Sequence, residues 1–527
     1  MVALRTPDDA EIDENRSRFR IAGMPLPAIA FLILTVVISL LWSHCELLWG
    51  DEFGILTTDS VSSVRTLIHV QRATPISLDP IVYHLVAHAF IKLFGPRAFA
   101  IRFPSLLGYL TMQICLFAFV RRAVSERAAV FAVALTVSAG TLWYAGQGRP
   151  YGLLLGLFGL VMVSWQTAVR SETRRLGALV VLGLSTALAL NTHYYAVLIL
   201  VPLCGAELFR TLERRRIDVP LLLAIGAGVT GIIFALPFAR GAASFRSHYY
   251  THTVSFHIIS HVYLWITLGT LQLSMNAQRV IEVGLILAIT TLAVTATREV
   301  MTGKSSLLKA ELVFLLLVAA LPFFGYLLAR MVTHVIEARF LLGAILGIDA
   351  LLAIGAASLF QRPRTVRLVL TILFAAAVYA GVVRIREQCV QSQQILARLT
   401  LAPETKAAIE ARPNQPIFIL NWYEFQLVRH YAPDPDMRQR IALYYSREQE
   451  LRCCNSDTMT LTALHTQPMM EMKLESYEAL AKQPGEHLFV IFHMDFDWTD
   501  RALAASHAKI TYLGPAYGGD LVSVRFP

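Results

Sequence analysis

Eleven apolar stretches alternate with short polar connectors over the first 386 residues, at about 26–42, 104–121, 128–146, 152–169, 176–191, 195–210, 219–239, 280–297, 311–329, 340–360 and 367–384. A helix that crosses a bilayer takes about 20 apolar residues, so each stretch predicts a membrane span. The connectors are of two kinds. One set is rich in arginine: Arg121-Arg122 with Arg127, Arg170 with Arg174-Arg175, Arg210 with Arg214-Arg215-Arg216, then Arg362, Arg364 and Arg367. The other set is sparse in charge and carries His, Tyr and single Arg residues. Lys and Arg concentrate on the cytoplasmic face of membrane proteins, so eleven spans predict a cytoplasmic N-terminus and an extracytoplasmic C-terminus. A twelfth span at 85–94 would turn the Arg clusters outward, so that segment reads as an interfacial helix. The same parity makes 256–275 interfacial or re-entrant.

The flanking segments differ in character. Residues 1–23 mix acidic residues with Arg16, Arg18 and Arg20 and read as a cytoplasmic tail. The first apolar run follows a long polar leader with no small-residue cleavage site, so it is expected to stay as an anchor. Residues 24–386 form the membrane domain, with a first outer loop at about 44–103. From about 387 prolines punctuate a polar tract. Ile417–Leu420 and Leu488–Phe492 are short buried-strand candidates, and Thr511–Leu513 and Leu521–Phe526 are closing ones. Glu471–Lys482 reads as helix. Residues 387–527 therefore read as a small extracytoplasmic α/β domain. The expected fold class is an α-helical polytopic membrane protein with that domain appended.

Composition agrees. Of 527 residues, 55% are hydrophobic and 16% charged, against roughly 25% charged in a soluble domain. The net charge of +9 is dispersed among connectors, which argues for a membrane-orienting role and against a nucleic-acid partner. Six cysteines in so long a chain make no disulfide framework. Cys45, Cys389, Cys453 and Cys454 fall outside the spans, and a bond from Cys389 to the Cys453-Cys454 pair is one option in an oxidising compartment. Neither a metal-binding Cys/His spacing nor a Gly-rich phosphate loop occurs.

The residues that carry chemistry collect on the outer side. Asp51 and Glu52 follow the first span directly, at the depth of lipid headgroups. Asp79 and Tyr83 share the same loop. Arg149, Tyr151, His193, Tyr194, Arg240, Arg246, His334 and Arg339 sit at the outer ends of later spans. Taken singly, arginines at span ends are snorkelling anchors and tyrosines belong to the interface belt. Together, cations and an acidic doublet on the face poor in bulk positive charge suit a phosphate-bearing lipid. Arginine binds phosphate oxygens through paired donors, and a nearby carboxylate can take a proton from an attacking hydroxyl or amine. No nucleotide is expected outside the cytoplasm, so a sugar on polyprenyl phosphate supplies both the energy and the leaving group. Two rivals are a lipid-linked sugar flippase and a non-catalytic envelope scaffold.

The chain resembles the GT-C superfamily of polytopic glycosyltransferases, in the branch holding protein O-mannosyltransferases, lipid A aminoarabinose transferases and rhizobial galacturonosyltransferases. The resemblance covers about 45–350. Trp49-Gly50-Asp51-Glu52 is similar to the family's acidic motif in the first outer loop. Asp79-Pro80-Ile81-Val82-Tyr83-His84 stands where a His-Pro-Pro-Leu-Tyr-Tyr pattern is common, and Ala100-Ile101-Arg102-Phe103-Pro104-Ser105 is similar to a Leu-Arg-Leu-Pro-Ser lead-in to the second span. Gln147-Gly148-Arg149-Pro150-Tyr151 is similar to Arg-Glu-Ala-Arg-Pro-Tyr, while Thr192-His193-Tyr194-Tyr195 and Glu337-Ala338-Arg339-Phe340 also have counterparts. The resemblance implies a GT-C fold, a polyprenyl-phosphate sugar donor and inversion at the anomeric carbon. It implies that Asp51 is the base or orients the acceptor, with Glu52 in support, and that Arg149 and Arg339 hold the donor phosphate. Arg240, Arg246 and His334 are further phosphate candidates; Asp79, Tyr83, Tyr151, His193 and Tyr194 are substrate candidates. Some relatives use a divalent metal, for which Asp51, Glu52 and Asp79 offer oxygen ligands; no other cofactor is expected. The expected partners are the lipid donor, the bilayer and an envelope glycolipid, glycan or protein acceptor. The expected location is a bacterial inner membrane with the site facing the periplasm.

Overall fold

The computed structural model describes residues 20–21, 23–244, 254–269, 274–303, 306–357, 362–494 and 497–527. Most of the tail expected at 1–23 lies outside the described residues. Among those described, seven helices are long and apolar enough to cross a membrane, and a pair bent by 52° makes an eighth. The remaining three expected spans are helical but shorter or broken. The 128–146 stretch divides into Glu126–Ser138 and a 3-10 turn at Gly140–Ala145. Arg175–Leu190 has 16 residues, and the 340–360 stretch begins as a 3-10 turn before the helix Ala344–Gly355. In the bent pair, Lys309–Ala319 and Leu321–Thr333, Pro322 stands in the first turn of the second half. It has no N–H to continue the hydrogen-bond ladder across the break. Within 256–275 the described helix is Ile258–Leu268, 11 residues long and too short to span.

Leu26–Cys45, the first span, holds 20 residues with no Asp, Glu, Lys or Arg, about 30 Å of helix and the thickness of a bilayer core. It ends where the outer loop begins. The helices Ala98–Ala123 and Pro150–Arg170 touch backbone to backbone. A Cβ on Gly108 would lie 2.3 Å from the Gly152 carbonyl oxygen, and one on Gly156 would lie 2.5 Å from that of Gly108. Small residues at such a seam let membrane helices approach closely. The seam holds Arg149, at the head of the second helix, against Ser105 of the first, whose hydroxyl donates to the Arg149 carbonyl at 2.6 Å.

The long helix Pro363–Arg398 carries the chain out of the membrane domain. The boundary expected at 387 therefore falls inside a helix. Beyond it, six strands form one sheet in the order Leu474–Ser476, Ile441–Tyr445, Ile417–Ile419, His487–Ile491, Gly519–Arg525, Lys509–Ala516. The first four run parallel and the last two pair antiparallel. The strand Ile441–Tyr445 was not anticipated, and the helix expected over Glu471–Lys482 is instead a strand at Leu474–Ser476 and one turn at Tyr477–Leu480. An apolar cluster joins this C-terminal domain to the loop that follows the first span, with Leu48, Phe53 and Ile55 packed among Trp422, Phe425 and Val428.

The disulfide is Cys45–Cys389, not a bond from Cys389 to the Cys453-Cys454 pair. Cys45 ends the first span and Cys389 lies on the long helix, with Cα atoms 4.8 Å apart. That separation is within the range a disulfide needs.

Candidate active site

Asp51 and Glu52 occupy the first turn of the helix Gly50–Asp59, capped by Trp49. Negative charge is favoured there by the helix dipole. Neighbours on a helix point about 100° apart, and the two carboxylates part company accordingly. Glu52 is fully buried. It accepts from Arg102 Nε at 2.8 Å and Nη2 at 2.5 Å, and from the Gly148 N–H at 2.6 Å. Arg102 spends its remaining donors on the carbonyls of Ser43 (2.7 Å), Glu46 (3.0 Å) and Leu47 (3.1 Å). Glu52 is thus the partner of a clasp that fixes the turn between the first span and the acidic helix, and its oxygens are already engaged. Burial, with Glu52 beside it, pushes the neighbouring Glu46 carboxyl up to about 8, so Arg102 pairs chiefly with Glu52.

Asp51 faces the other way, with 39% of its side chain exposed. Arg149 Nη1 stands 3.3 Å from Asp51 Oδ2, and Arg149 Nη2 stands 3.4 Å from Asp79 Oδ2. The guanidinium therefore bridges two carboxylates from separate segments. Asp79 also accepts from Ser77 Oγ at 3.0 Å and lies 3.8 Å from His193 Nε2. Burial pushes the Asp79 carboxyl up, but Arg149, then His193 and His84, outweigh it and hold it below the usual carboxylate range. His193 Nδ1 accepts the Tyr195 N–H at 3.2 Å, so in the neutral ring the proton sits on Nε2, facing Asp79.

Burial pushes the His193 imidazole down to about 4 against an ordinary 6.5, Asp79 only partly offsetting it. Between those values the unfolded chain binds a proton that the folded one does not, so stability falls as pH drops from about 6.5 toward 4. At pH 5 the expected loss relative to pH 7 is roughly 2 kcal/mol. Thermal denaturation of purified His193→Gln should lack that loss. Asp79 contributes in a separate window, only below the ordinary carboxylate range.

Tyr151 accepts weakly from Arg149 Nη2 (3.4 Å) and packs against His193 with ring centroids 5.5 Å apart. Arg339 stands near enough to Tyr151, Arg149 and Asp51 to share their field. Around Arg149, three buried donors have no hydrogen-bond partner among the described residues: Arg149 Nε, Arg339 Nε and the Tyr194 hydroxyl. Orphaned donors beside two arginines are what an anion-binding pocket presents before its ligand arrives.

Other expected residues stand apart. Tyr83 is fully buried and donates its hydroxyl to the Ile101 carbonyl at 2.6 Å, so it braces two helices. Arg240 is exposed on the helix Ile232–Ser244, and His334 is exposed with left-handed backbone (φ 58°). Arg246 lies outside the described residues. Arg102 and Gly148 belong to the family-like motifs but are not among the site residues expected from sequence. The signal for Arg102 is a lone cation at the entry to the second apolar run, which must find a buried anion; Gly148 carries no such signal.

A divalent metal fits this donor set poorly. The gap between Asp51 and Asp79 already holds the Arg149 cation, and Glu52 is engaged by Arg102. Among the described residues no three His, Cys, Asp or Glu side chains converge to hold a metal ion. Treatment of the purified protein with EDTA is expected to change its activity less than twofold; restoration of lost activity by added metal would contradict this.

Residues 79–239 match the model of a family described as dolichyl-phosphate-mannose-protein mannosyltransferase. No curated protein sequence matches the chain. Among solved structures, the chain is similar to ArnT from Cupriavidus metallidurans bound to undecaprenyl phosphate, at 13% identity and a TM-score of 0.58 over 94% of this chain and 97% of that one. The apo form of the same protein matches at 14% identity and a TM-score of 0.56, over 94% and 98%. The matched family segment contains Asp79, Arg149 and His193, and the structural match takes in both the membrane domain and the outer sheet. The chain is thus a helical multi-pass membrane protein with an ArnT-like fold.

Proposed function

We propose that the protein transfers a single sugar from a polyprenyl-phosphate carrier to an extracytoplasmic acceptor. The observation that carries this reading is the pairing of a half-exposed Asp51 with a buried Arg149 whose Nε has no partner. Arg149 and Arg339 receive the phosphate of the donor, with Tyr194 supplying a further donor. Asp51 takes the proton from the acceptor hydroxyl or amine, or orients that group for attack. The new bond forms on the face of the anomeric carbon opposite the phosphate. The carbon–oxygen bond to phosphate breaks with its electron pair leaving on the phosphate, where the two arginines stabilise the charge. The product is the inverted glycoside and free polyprenyl phosphate. Asp79 keeps Arg149 in place and stays ionised while doing so.

Undecaprenyl phosphate, bound by the structurally similar ArnT, is the carrier that fits this reading in a bacterial inner membrane. The Cys45–Cys389 disulfide, six residues before Asp51, supports placing the site on the oxidising, periplasmic side. An envelope glycolipid such as lipid A is the favoured acceptor, with a glycan or protein second. The test is mass spectrometry of envelope glycolipids and glycoproteins from cells with and without the gene. One class should lose a single sugar increment; unchanged glycolipids and glycoproteins would defeat the reading.

A further inference from the structure

The segment 45–53, which delivers Asp51, is gripped by the outer domain as well as by Arg102. Tyr431, the last residue of the helix Trp422–Tyr431, accepts the Leu48 backbone N–H on its hydroxyl at 2.9 Å. Phe53, two residues past Asp51 and 2% exposed, is seated in an aromatic socket on the same helix. Its ring centroid lies 6.2 Å from Tyr423, 5.8 Å from His430 and 6.4 Å from Tyr431. Tyr423 also covers Gly50, where an added Cβ would lie 3.8 Å from its ring. The Cys45–Cys389 bond ties the start of the segment to the helix that leads into the outer domain. Among these partners, Tyr423, His430 and Tyr431 belong to the outer domain, and Cys389 to the helix that leads into it.

We propose that the outer domain is a splint for the acidic helix, and that Tyr431 is the positioning residue that fixes where Asp51 stands. This rests on the reading of Asp51 as the group that engages the acceptor. Leu48 precedes the helix by two residues, and its N–H has no helical partner there. Holding that N–H fixes the path by which the chain enters the first turn, and so the direction in which Asp51 projects. The aromatic socket prevents rotation about the helix axis, which would exchange Asp51 for its neighbours. A misplacement of about 1 Å at a reacting group is enough to cost roughly a hundredfold in rate. The domain thereby acts on turnover and not on donor affinity, since Arg149 and Arg339 lie on other segments.

The test uses the full chain in nanodiscs, supplied with lipid-linked sugars extracted from host membranes, and counts released undecaprenyl phosphate by mass spectrometry. Tyr431→Phe deletes one oxygen and keeps the packing. It is expected to speed hydrogen exchange at the amides of residues 48–53 while the spans and melting temperature stay unchanged. Apparent kcat should fall roughly tenfold with KM for the lipid within twofold. Reduction of the wild-type disulfide should lower kcat in the same direction, and the Cys45→Ser/Cys389→Ser variant should be indifferent to reductant. Wild-type exchange at 48–53, an unchanged kcat, or a loss confined to KM would overturn the splint. A fully active Asp51→Asn protein would instead remove the functional reading beneath it.

Discussion

Asp51→Asn should transfer sugar at no more than about a thousandth of the wild-type rate, the scale of loss expected when a general base is removed. The substitution keeps the size of the side chain and one acceptor oxygen. It removes the capacity to take a proton and half of the charge balancing Arg149, which also contacts Asp79. Folding should survive, because Asp51 is the one carboxylate of the three with substantial exposure, and Glu52 continues to hold Arg102. The sign of the binding effect is the more discriminating part. With one anion fewer beside the guanidinium, undecaprenyl phosphate should bind as tightly as before or more tightly. Comparing Kd with the single-turnover rate in the same preparation separates the two. A parallel loss of binding and rate would mean that Asp51 shapes the pocket and does not act on the acceptor.

Arg149→Ala should show the reverse pattern. Arg149 is 8% exposed and is the only described cation within ion-pair distance of both Asp51 and Asp79. Its removal leaves two carboxylates facing a lipid phosphate with nothing between them. Truncating one partner of a buried charge pair costs on the order of 2–5 kcal/mol, so the Kd for undecaprenyl phosphate should rise about 30-fold or more. The Asp79 carboxyl loses the largest influence opposing its burial and should titrate higher. Arg149→Lys should recover part of the affinity. A single ammonium is a point charge and cannot span both carboxylates while presenting a planar face to phosphate. Thermal shift with and without undecaprenyl phosphate reads both effects: wild-type protein should gain melting temperature on binding, and Arg149→Ala should gain little.

Much of this site could be read from residue order. Asp51, Asp79, Arg149, His193 and Arg339 stand out in the sequence because polar and charged groups at the ends of apolar spans are costly, and the fold brings them together. What order could not supply was direction. Asp51 and Glu52 differ by one position and look alike as a doublet, yet a turn of helix sends one toward solvent and the other into the Arg102 clasp. Tyr83 looks like a substrate contact beside Asp79 but points at the Ile101 carbonyl. The Cys45–Cys389 bond joins residues 344 apart in sequence, a pairing that no local spacing encodes.

The fold shows a similar division. All eleven apolar stretches are helical, because length and hydropathy dictate that, but their breaks depend on packing against neighbours. The strand Ile441–Tyr445 lies outside the strands expected from sequence although, like Ile417–Ile419 and His487–Ile491, it is a continuous apolar run buried in the sheet. Glu471–Lys482 reads as helix from sequence, while its residues Leu474–Ser476 serve as an edge strand beside Ile441–Tyr445. Sheet pairing overrode local preference there.

The most direct measurement is the fate of the carrier. Purified protein in nanodiscs, given a labelled sugar on undecaprenyl phosphate together with extracted envelope lipids, should release free undecaprenyl phosphate in one-to-one proportion with a newly glycosylated acceptor of inverted anomeric configuration. A donor that remains intact while the acceptor pool stays unglycosylated would contradict the account and leave a carrier or a scaffold in its place.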